Sequence, residues 1–439
     1  MTALGGRFWR LFGASATSNF ADGIGRTALP LLGATYTRNP VLISGLVTFA
    51  FLPWLLFALP SGVLVDRVDR RYAMAAANAV RAAATGVLAI LVLADAANIA
   101  ALYVVAFALG IAETVYDSAV RAILPQVVDT ARLDAANGAL TVEESLGQTF
   151  LGAPLGSFIF TVALSLPFAL NAGGFAVAAV LVLTLRGNYR PVRAAGTRSV
   201  RADIADGVRW LAAHRLLRSL TLISAVTAVA NAMMTGVLVL YVLEVLRLPP
   251  GDFGLLLVAA GIGAALGGVL TPKLTGRLGR VVMLPLGAAV AAITFGAMGL
   301  TRNGYVAAGL FAVSAAAVMV WNVLTMSLRQ ALIPHELFGR VQGAYRTLVW
   351  GAIPVGALSG GLLAHLAGIR AVFLVGGAIM LACAGWLAIT TRAHADALVL
   401  ESSGDRDVVE HPGPPLPGDA LLRVRPEQSE RAATEELSA

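Results

Sequence analysis

Long apolar stretches separated by short polar turns make up the sequence from its start to about residue 392. A bilayer core about 30 Å thick needs roughly 20 apolar residues per helix. Twelve stretches satisfy this length: 10–34, 41–64, 72–94, 99–122, 136–162, 166–185, 219–243, 253–272, 281–300, 304–328, 342–366 and 370–391. The pattern predicts an all-α membrane protein with twelve transmembrane helices, which we number spans 1 to 12.

The composition excludes a chain of soluble domains. Of the 439 residues, 58% are hydrophobic and only 13% are charged, whereas a soluble domain carries about 25% charged residues. The sequence has no Gly-x-x-x-x-Gly-Lys-Ser/Thr loop for ATP, and its five histidines and one cysteine show no metal-ligand spacing. We therefore expect a protein that is not an enzyme and that uses no cofactor or metal.

The basic residues between the spans are distributed unevenly. One set of alternate loops, with the N-terminal segment, holds 20 arginines and lysines, and the other set holds 4. Because basic loops stay in the cytoplasm, both termini are predicted to be cytoplasmic in a multi-pass protein of a bacterial inner membrane. This topology accounts for the net charge of +7, so we expect the lipid bilayer, and not nucleic acid, as a partner.

An internal repeat predicts two halves. Ala122-Ile-Leu-Pro125 recurs as Ala331-Leu-Ile-Pro334 at an equivalent place between spans, which indicates two parallel six-helix repeats with a substrate site at the midplane. The predicted organisation is an N-terminal bundle at 1–185, a linker with an amphipathic helix at 186–218, a C-terminal bundle at 219–392 and a tail at 393–439. The tail holds ten acidic residues and a proline-rich run, so it is predicted to be a disordered cytoplasmic segment.

Two motifs resemble those of a transporter family. The loop after span 2 carries Gly62, Asp66, Arg67, Arg70 and Arg71, which resembles the Gly-x-x-x-Asp-Arg-x-Gly-Arg-Arg loop of the major facilitator superfamily. Here Asp69 stands in the place of the second glycine.

Span 5 is similar to the antiporter motif of the exporters in that superfamily. The matching residues are Gly147, Gly152, Pro154 and Gly156, with one extra residue before the glycine–proline core. Stretches around Glu113 and Trp321 are similar to the enterobactin-exporter-like branch, which includes macrolide efflux proteins. The resemblance covers about residues 7–392 and implies two pseudo-symmetric bundles whose helices 1, 4, 7 and 10 line a cavity.

Four charged residues lie deep within the predicted spans: Asp22, Arg26, Arg81 and Glu113. Each would cost roughly 2.5–3.5 kcal/mol at the bilayer centre unless it is paired or hydrated. Arg81 and Glu113 lie at similar depths, about 12–15 Å from the cytoplasmic ends of their spans, so they can form a pair. Asp22 and Arg26 share a helix face. These residues either fix helix packing or couple proton and substrate binding, and the sequence leaves both interpretations open.

The resemblance implies further candidates. Asn231, Asn322 and Trp321 are placed on cavity helices of the second half. Asp117 is placed where an acid at the cytoplasmic end of helix 4 is latched by Arg70 or Arg71. In the same family Asp66 faces the start of helix 11, and these contacts form a cytoplasmic gate.

The sequence predicts a secondary exporter of amphipathic small molecules, of the drug, antibiotic or siderophore type, coupled to protons and acting as a monomer. One alternative is an uptake symporter for a small solute. The other is a non-transporting membrane sensor or scaffold.

Overall fold

The computed structural model describes residues 4–129, 132–187, 189–190 and 200–393. Every regular element in these ranges is helical. The helices are α1 (Gly5–Tyr36), α2 (Pro40–Val65), α3 (Arg70–Leu93), α4 (Ile99–Val127), α5 (Leu133–Ser145), α6 (Ala153–Val162), α7 (Leu166–Leu183), α8 (Val200–Ala213), α9 (Arg215–Leu240), α10 (Asp252–Leu278), α11 (Arg280–Met298), α12 (Gly304–Leu332), α13 (His335–Ala367) and α14 (Ile369–Ala393). Two π-helical turns, Leu146–Gly152 and Tyr241–Val245, continue α5 into α6 and extend α9.

Each of the twelve predicted spans corresponds to one helical segment, with α5, its π turn and α6 forming span 5. Ten of the described helices are long and apolar enough to cross a membrane. The other two segments are span 5, which is divided into short pieces, and α1, which carries four charged residues. The predicted fold class is confirmed. Helix α8 lies within the predicted linker, and residues 394–439 of the predicted tail lie outside the described residues.

The same helix contacts occur in both halves of the chain. In the first half, span 1 packs on spans 5 and 6, span 4 packs on spans 2 and 3, and span 3 packs on span 6. In the second half, span 7 packs on spans 11 and 12, span 10 on spans 8 and 9, and span 9 on span 12. Each contact therefore recurs six spans later, as expected for a parallel repeat.

The two halves are closed together at one end of the bundle. We call this the distal end; the opposite end, where α1 begins and α14 ends, is the termini end. Gly361 of α13 lies directly against Ser44 of α2, and Gly254 of α10 lies against Pro154 of α6. A side chain on either glycine would overlap its neighbour, so small residues permit this close approach.

Hydrogen bonds and buried apolar side chains join the halves at the distal end. Ser157 Oγ donates to the Gly251 carbonyl oxygen and accepts from the Gly254 N–H, each at 3.1 Å. One buried cluster, which includes Leu31 and Tyr241, draws residues from both halves. A second cluster, at the termini end, contains residues of the first half and Tyr189 of the linker, and none of the second half among those described. The interface is therefore sealed distally.

Candidate functional site

Two ion pairs connect α1 to α3 and α4 within the bundle. Arg26 Nη2 lies 2.8 Å from Glu113 Oε1, and Arg81 Nη1 lies 3.5 Å from Asp22 Oδ2. The side chains of Arg26 and Glu113 are 50% and 28% exposed, whereas that of Arg81 is 2% exposed. The first pair therefore faces open space and the second lies in the core of the half.

The surroundings of Arg81 hold its guanidinium in one place. The group lies 5.1 Å from the ring centroid of Tyr116 and 5.2 Å from that of Phe175, and Nη1 donates to Ser18 Oγ at 3.3 Å. Aromatic faces attract a cation, and Asp22 supplies the opposite charge. Arg81 thus connects α3, α4 and α7 to α1.

The predicted pairing of Arg81 with Glu113 is wrong. The two residues lie at similar depths, but the rotation of α3 about its axis directs Arg81 between Tyr116 and Phe175 toward Asp22. Glu113 is instead bound by Arg26, one turn from Asp22 on α1. The four predicted residues are brought together, but with exchanged partners.

A further acid, Glu143 of α5, is buried without a cation. Its side chain is 6% exposed, and Asn19 Nδ2 donates to both carboxylate oxygens at 3.1 and 3.2 Å. Gln148 in turn donates to Asn19 Oδ1 at 3.1 Å. Among the described residues, no arginine or lysine lies within 4.0 Å of this carboxylate. Asn19 lies three residues before Asp22, and only its polarity within an apolar span marked it in the sequence.

The glycines of span 5 form its contact with α1. A Cβ atom added to Gly152 would lie 2.7 Å from the Phe20 carbonyl oxygen and 2.7 Å from Gly23 Cα. Gly147 faces Phe20 at the start of the same contact. The π-helical turn Leu146–Gly152 stands directly before Pro154. A π turn accommodates one extra residue, which explains the insertion in the antiporter-type motif.

Gly156 completes this contact further along span 5. It lies against Ile24 and Thr27 of α1, and Thr27 Oγ1 donates to the Ala153 carbonyl oxygen at 3.1 Å. The antiporter-type motif therefore brings the backbones of span 5 and α1 together along their length.

In the loop after α2, Asp69 begins α3. Its carboxylate accepts from the Arg71 N–H at 2.9 Å, and its backbone is extended. An aspartate in this position satisfies a free N–H of the first helical turn. The departure from the family's glycine therefore supplies an N-cap.

The predicted latch between the loop arginines and Asp117 is absent from this conformation. Arg70 Nη1 donates to the Ala122 carbonyl oxygen and Arg71 Nη1 to the Leu185 carbonyl oxygen, each at 2.9 Å. Both arginines thus donate to backbone carbonyl oxygens within the first half, one in the last two turns of α4 and one just past the end of α7. Asp117 is bound by Arg121 and Arg346 instead.

The remaining loop residues of the predicted gate are open to solvent. Asp66 and Arg67 are exposed, and a Cβ atom on Gly62 would meet nothing within 4 Å. Among the described residues, no hydrogen bond or ion pair joins Asp66 to the start of span 11 in this conformation.

Asp117 instead connects the two halves. Its Oδ2 lies 3.0 Å from Arg121 Nη2 on the same helix and 3.9 Å from Arg346 Nη2 of α13. The Arg346 guanidinium lies 4.8 Å from the ring centroid of Trp350, which meets the ring of Trp54 edge-to-face at 4.5 Å. Nothing in the apolar pattern had singled out Arg346.

A cavity of about 630 Å³ opens between the halves toward the termini end. Its walls come from α4, α12 and α13, and they include Arg121, Asn322, Arg329, Arg346 and Trp350. Because the distal end is closed, small molecules can reach this cavity from the termini end.

The other cavity candidates have different positions. Trp321 is buried in its helix contacts at 8% exposure, and the neighbouring Asn322 faces the cavity in its place. Asn231 of α9 accepts a weak hydrogen bond from Thr235 of its own helix at 3.5 Å.

Within the described residues, twelve helical segments long enough to form a bundle and a cavity lined by arginines are typical of a multi-pass membrane protein of the transporter type. The family model of the Major Facilitator Superfamily matches residues 11–357 and, in a second overlapping match, 221–425. The chain belongs to this superfamily, as its loop and span 5 motifs predicted.

Curated relatives support the efflux branch. The chain is 28% identical over 374 residues to the multidrug efflux pump Tap of Mycolicibacterium fortuitum, which covers 82% of this chain and 90% of that protein. It is 22% identical over 392 residues to macrolide efflux protein A of Streptococcus pyogenes, covering 86% and 94% of the two chains.

Solved structures share the fold. The nucleoside transporter NupG superposes with a TM-score of 0.68 at 12% identity, covering 89% of this chain and 99% of that one. A bacterial homologue of the iron transporter ferroportin in an inward-facing state gives a TM-score of 0.71 at 17% identity, covering 88% and 98%.

Proposed function

We propose that this protein exports amphipathic small molecules of the drug or antibiotic type across the bacterial inner membrane in exchange for protons. The observation that carries the proposal is the Arg26–Glu113 pair, whose charged atoms lie 2.8 Å apart and whose side chains are 50% and 28% exposed within an apolar bundle. The names of the efflux relatives support the direction and the substrate class.

Alternating access provides the transport cycle. The two six-helix bundles, 1–185 and 219–392, rock about the cavity between them. The arginine-rich loops lie at the termini end, which by the distribution of basic residues is cytoplasmic. The closed distal end and the open cavity then correspond to an inward-facing state, ready to take substrate from the cytoplasm.

Glu113 and Asp22 are proposed as coupling residues. A proton on Glu113 removes the charge that holds Arg26, which frees α1 to move relative to α4. Arg81 keeps Asp22 in place from the other side. Because each acid has an arginine partner, protonation is coupled to the release of a specific contact between helices.

Glu143 is proposed as a further proton site, in addition to Glu113 and Asp22. A carboxylate buried away from cations is costly, and a bound proton removes that cost. The groups that face it are Asn19 and Ser15 of α1, Tyr116 of α4 and Glu144 of its own helix. Glu143 lies on α5 at the contact with α1, so the charge of its carboxylate affects how span 5 packs on α1.

The test is uptake of a fluorescent drug into inverted membrane vesicles whose interior is more acidic than the medium, so that protons leave as the drug enters. Asp22→Asn and Glu113→Gln are expected to reduce gradient-driven uptake at least tenfold while the protein remains in the membrane. Glu143→Gln is expected to retain substrate binding and to lose the response to the gradient. Full gradient-driven activity in all three variants would refute the proton-coupling roles.

The alternatives give different results. An uptake symporter would accumulate substrate in intact, right-side-out cells and would release it from inverted vesicles. A sensor or scaffold would move no substrate, and its activity would depend on the tail; deleting 397–439 without loss of transport would argue against that alternative.

A further inference from the structure

The cavity at the termini end has an arginine with no counter-ion among the described residues. Arg329 of α12 is 8% exposed, and its guanidinium lies 3.7 Å from the Tyr345 ring centroid. Nη2 contacts Met326 Sδ at 3.7 Å, whereas Nε and Nη1 are buried without a hydrogen-bond partner. No carboxylate among the described residues lies within 4.0 Å of this guanidinium.

A buried cation without partners is costly. Burying a charge is tolerated when the charge is paired and its donors are satisfied. Here Gln342 Oε1 on the same wall is also buried without a partner. The residues that line this cavity therefore include two donors of Arg329 and one acceptor of Gln342 that have no hydrogen-bond partner.

The charges around the cavity are unbalanced. Three arginines line it, Arg121, Arg329 and Arg346, and no aspartate or glutamate is among the described lining residues. Asp117, just outside, lies 3.0 Å from Arg121 and 3.9 Å from Arg346. Asp117 thus neutralises part of the positive charge of Arg121 and Arg346, whereas the charge of Arg329 is not neutralised by it.

Apolar and aromatic groups adjoin these arginines. Val323, Met326, Val349 and Trp350 line the same cavity. A ligand that fits this wall has an apolar or aromatic body and one negatively charged group. The planar fork of arginine binds carboxylate, sulfonate and phosphate groups with two parallel hydrogen bonds.

We propose that this cavity binds the exported molecule through an anionic group held by Arg329, so that the substrates are amphipathic organic anions. The inference rests on the proposed export function, because it names the substrate class of the transport cavity. Gln342 and Arg346 complete the polar side of the site, and Trp350 contacts the body of the molecule.

The test compares two dyes that share a xanthene ring system and differ in charge, the anion fluorescein and the cation rhodamine 6G. The full-length protein is placed in lipid nanodiscs without a proton gradient, and dye binding is followed by fluorescence anisotropy. We expect saturable binding of fluorescein that weakens as salt is added, and binding of rhodamine 6G at least tenfold weaker. Equal binding of both dyes, or no saturable binding of fluorescein, would overturn the proposal.

Variants then locate the site. Arg329→Gln is expected to weaken fluorescein binding by about tenfold or more, and Arg329→Lys by less, because lysine keeps the charge but not the fork. The matched control is Arg277→Gln, at an exposed arginine in the last turn of α10, which should leave binding unchanged. Unchanged fluorescein binding in folded Arg329→Gln would overturn the assignment of Arg329 as the anion-binding residue. If that variant does not fold, the comparison of fluorescein with rhodamine 6G on the wild-type protein still tests the proposal.

The dye-binding experiment and the export experiment can fail independently of each other. Binding is measured without a gradient, so intact anion binding with no export would refute the proposed function alone. Export of cationic drugs with no preference for the anionic dye would refute the anion site alone.

Discussion

At the scale of single residues, the buried Asp22–Arg81 pair offers a direct test of how charges stabilise this fold. Arg81→Gln leaves Asp22 without its cation in a site that is closed to water on the arginine side. Loss of one partner of a buried pair costs about 3–5 kcal/mol, so the midpoint of thermal unfolding in detergent should fall clearly. The double variant with Asp22→Asn should recover part of the loss, because no unpaired charge remains.

The exposed pair Asp117–Arg121 is the matched control for this prediction. Its side chains are 35% and 60% exposed, and such pairs contribute at most about 1 kcal/mol. Arg121→Gln should therefore hardly change the unfolding midpoint. If Arg121→Gln lowered the unfolding midpoint as much as Arg81→Gln does, burial would not determine how much an ion pair contributes to stability.

At the scale of helices, the contact of span 5 with α1 depends on the absence of side chains. In Gly152→Ala the new Cβ would lie 2.7 Å from backbone atoms of α1, so the helices must separate. Overpacking of this kind costs about 1–3 kcal/mol, to be measured as a lower unfolding midpoint together with reduced transport.

Gly138→Ala, in the same span, is the control for the contact. Nothing lies within 4 Å of a Cβ at this position, and alanine is the better helix former by about 1 kcal/mol. This variant should be neutral or slightly more stable. Destabilisation by both substitutions would mean that the glycines matter for a reason other than packing against α1.

At the scale of the whole molecule, transport by alternating access requires the distal end to open. A Cβ atom at Gly251 would lie 3.5 Å from Thr161 Cγ2 across the interface. Because Cγ2 is one bond from Thr161 Cβ, the two Cβ atoms would be at most about 5 Å apart, near the range that a disulfide spans. In a Cys383→Ala background, oxidation of the Thr161→Cys/Gly251→Cys variant should lock the distal end and stop transport, and reduction should restore it. Transport that continues when mass spectrometry shows complete cross-linking would exclude this movement, and Thr161→Cys alone controls for the cysteine itself.

The amount that could be predicted from the sequence differs between these scales. The spans and the four intramembrane charges could be located because bilayer thickness and the cost of a buried charge act on local sequence. The pairing of Arg81 with Asp22 could not be predicted, because it depends on how α3 and α1 rotate in the packed bundle. The one extra residue in span 5 was visible, but the π turn that accommodates it depends on contact with α1.

The sequence by itself determined the membrane class, the family and the twelve helices of this protein, since each follows from hydropathy, charge distribution and short motifs along the chain. Only the tertiary structure decided which end is closed, which acids are paired and that Arg329, beside the cavity, has no counter-ion among the described residues. The physical reason is that these features come from contacts between helices far apart in sequence. Small apolar residues on many helix faces look alike in sequence, and only the packed arrangement distinguishes the faces that meet.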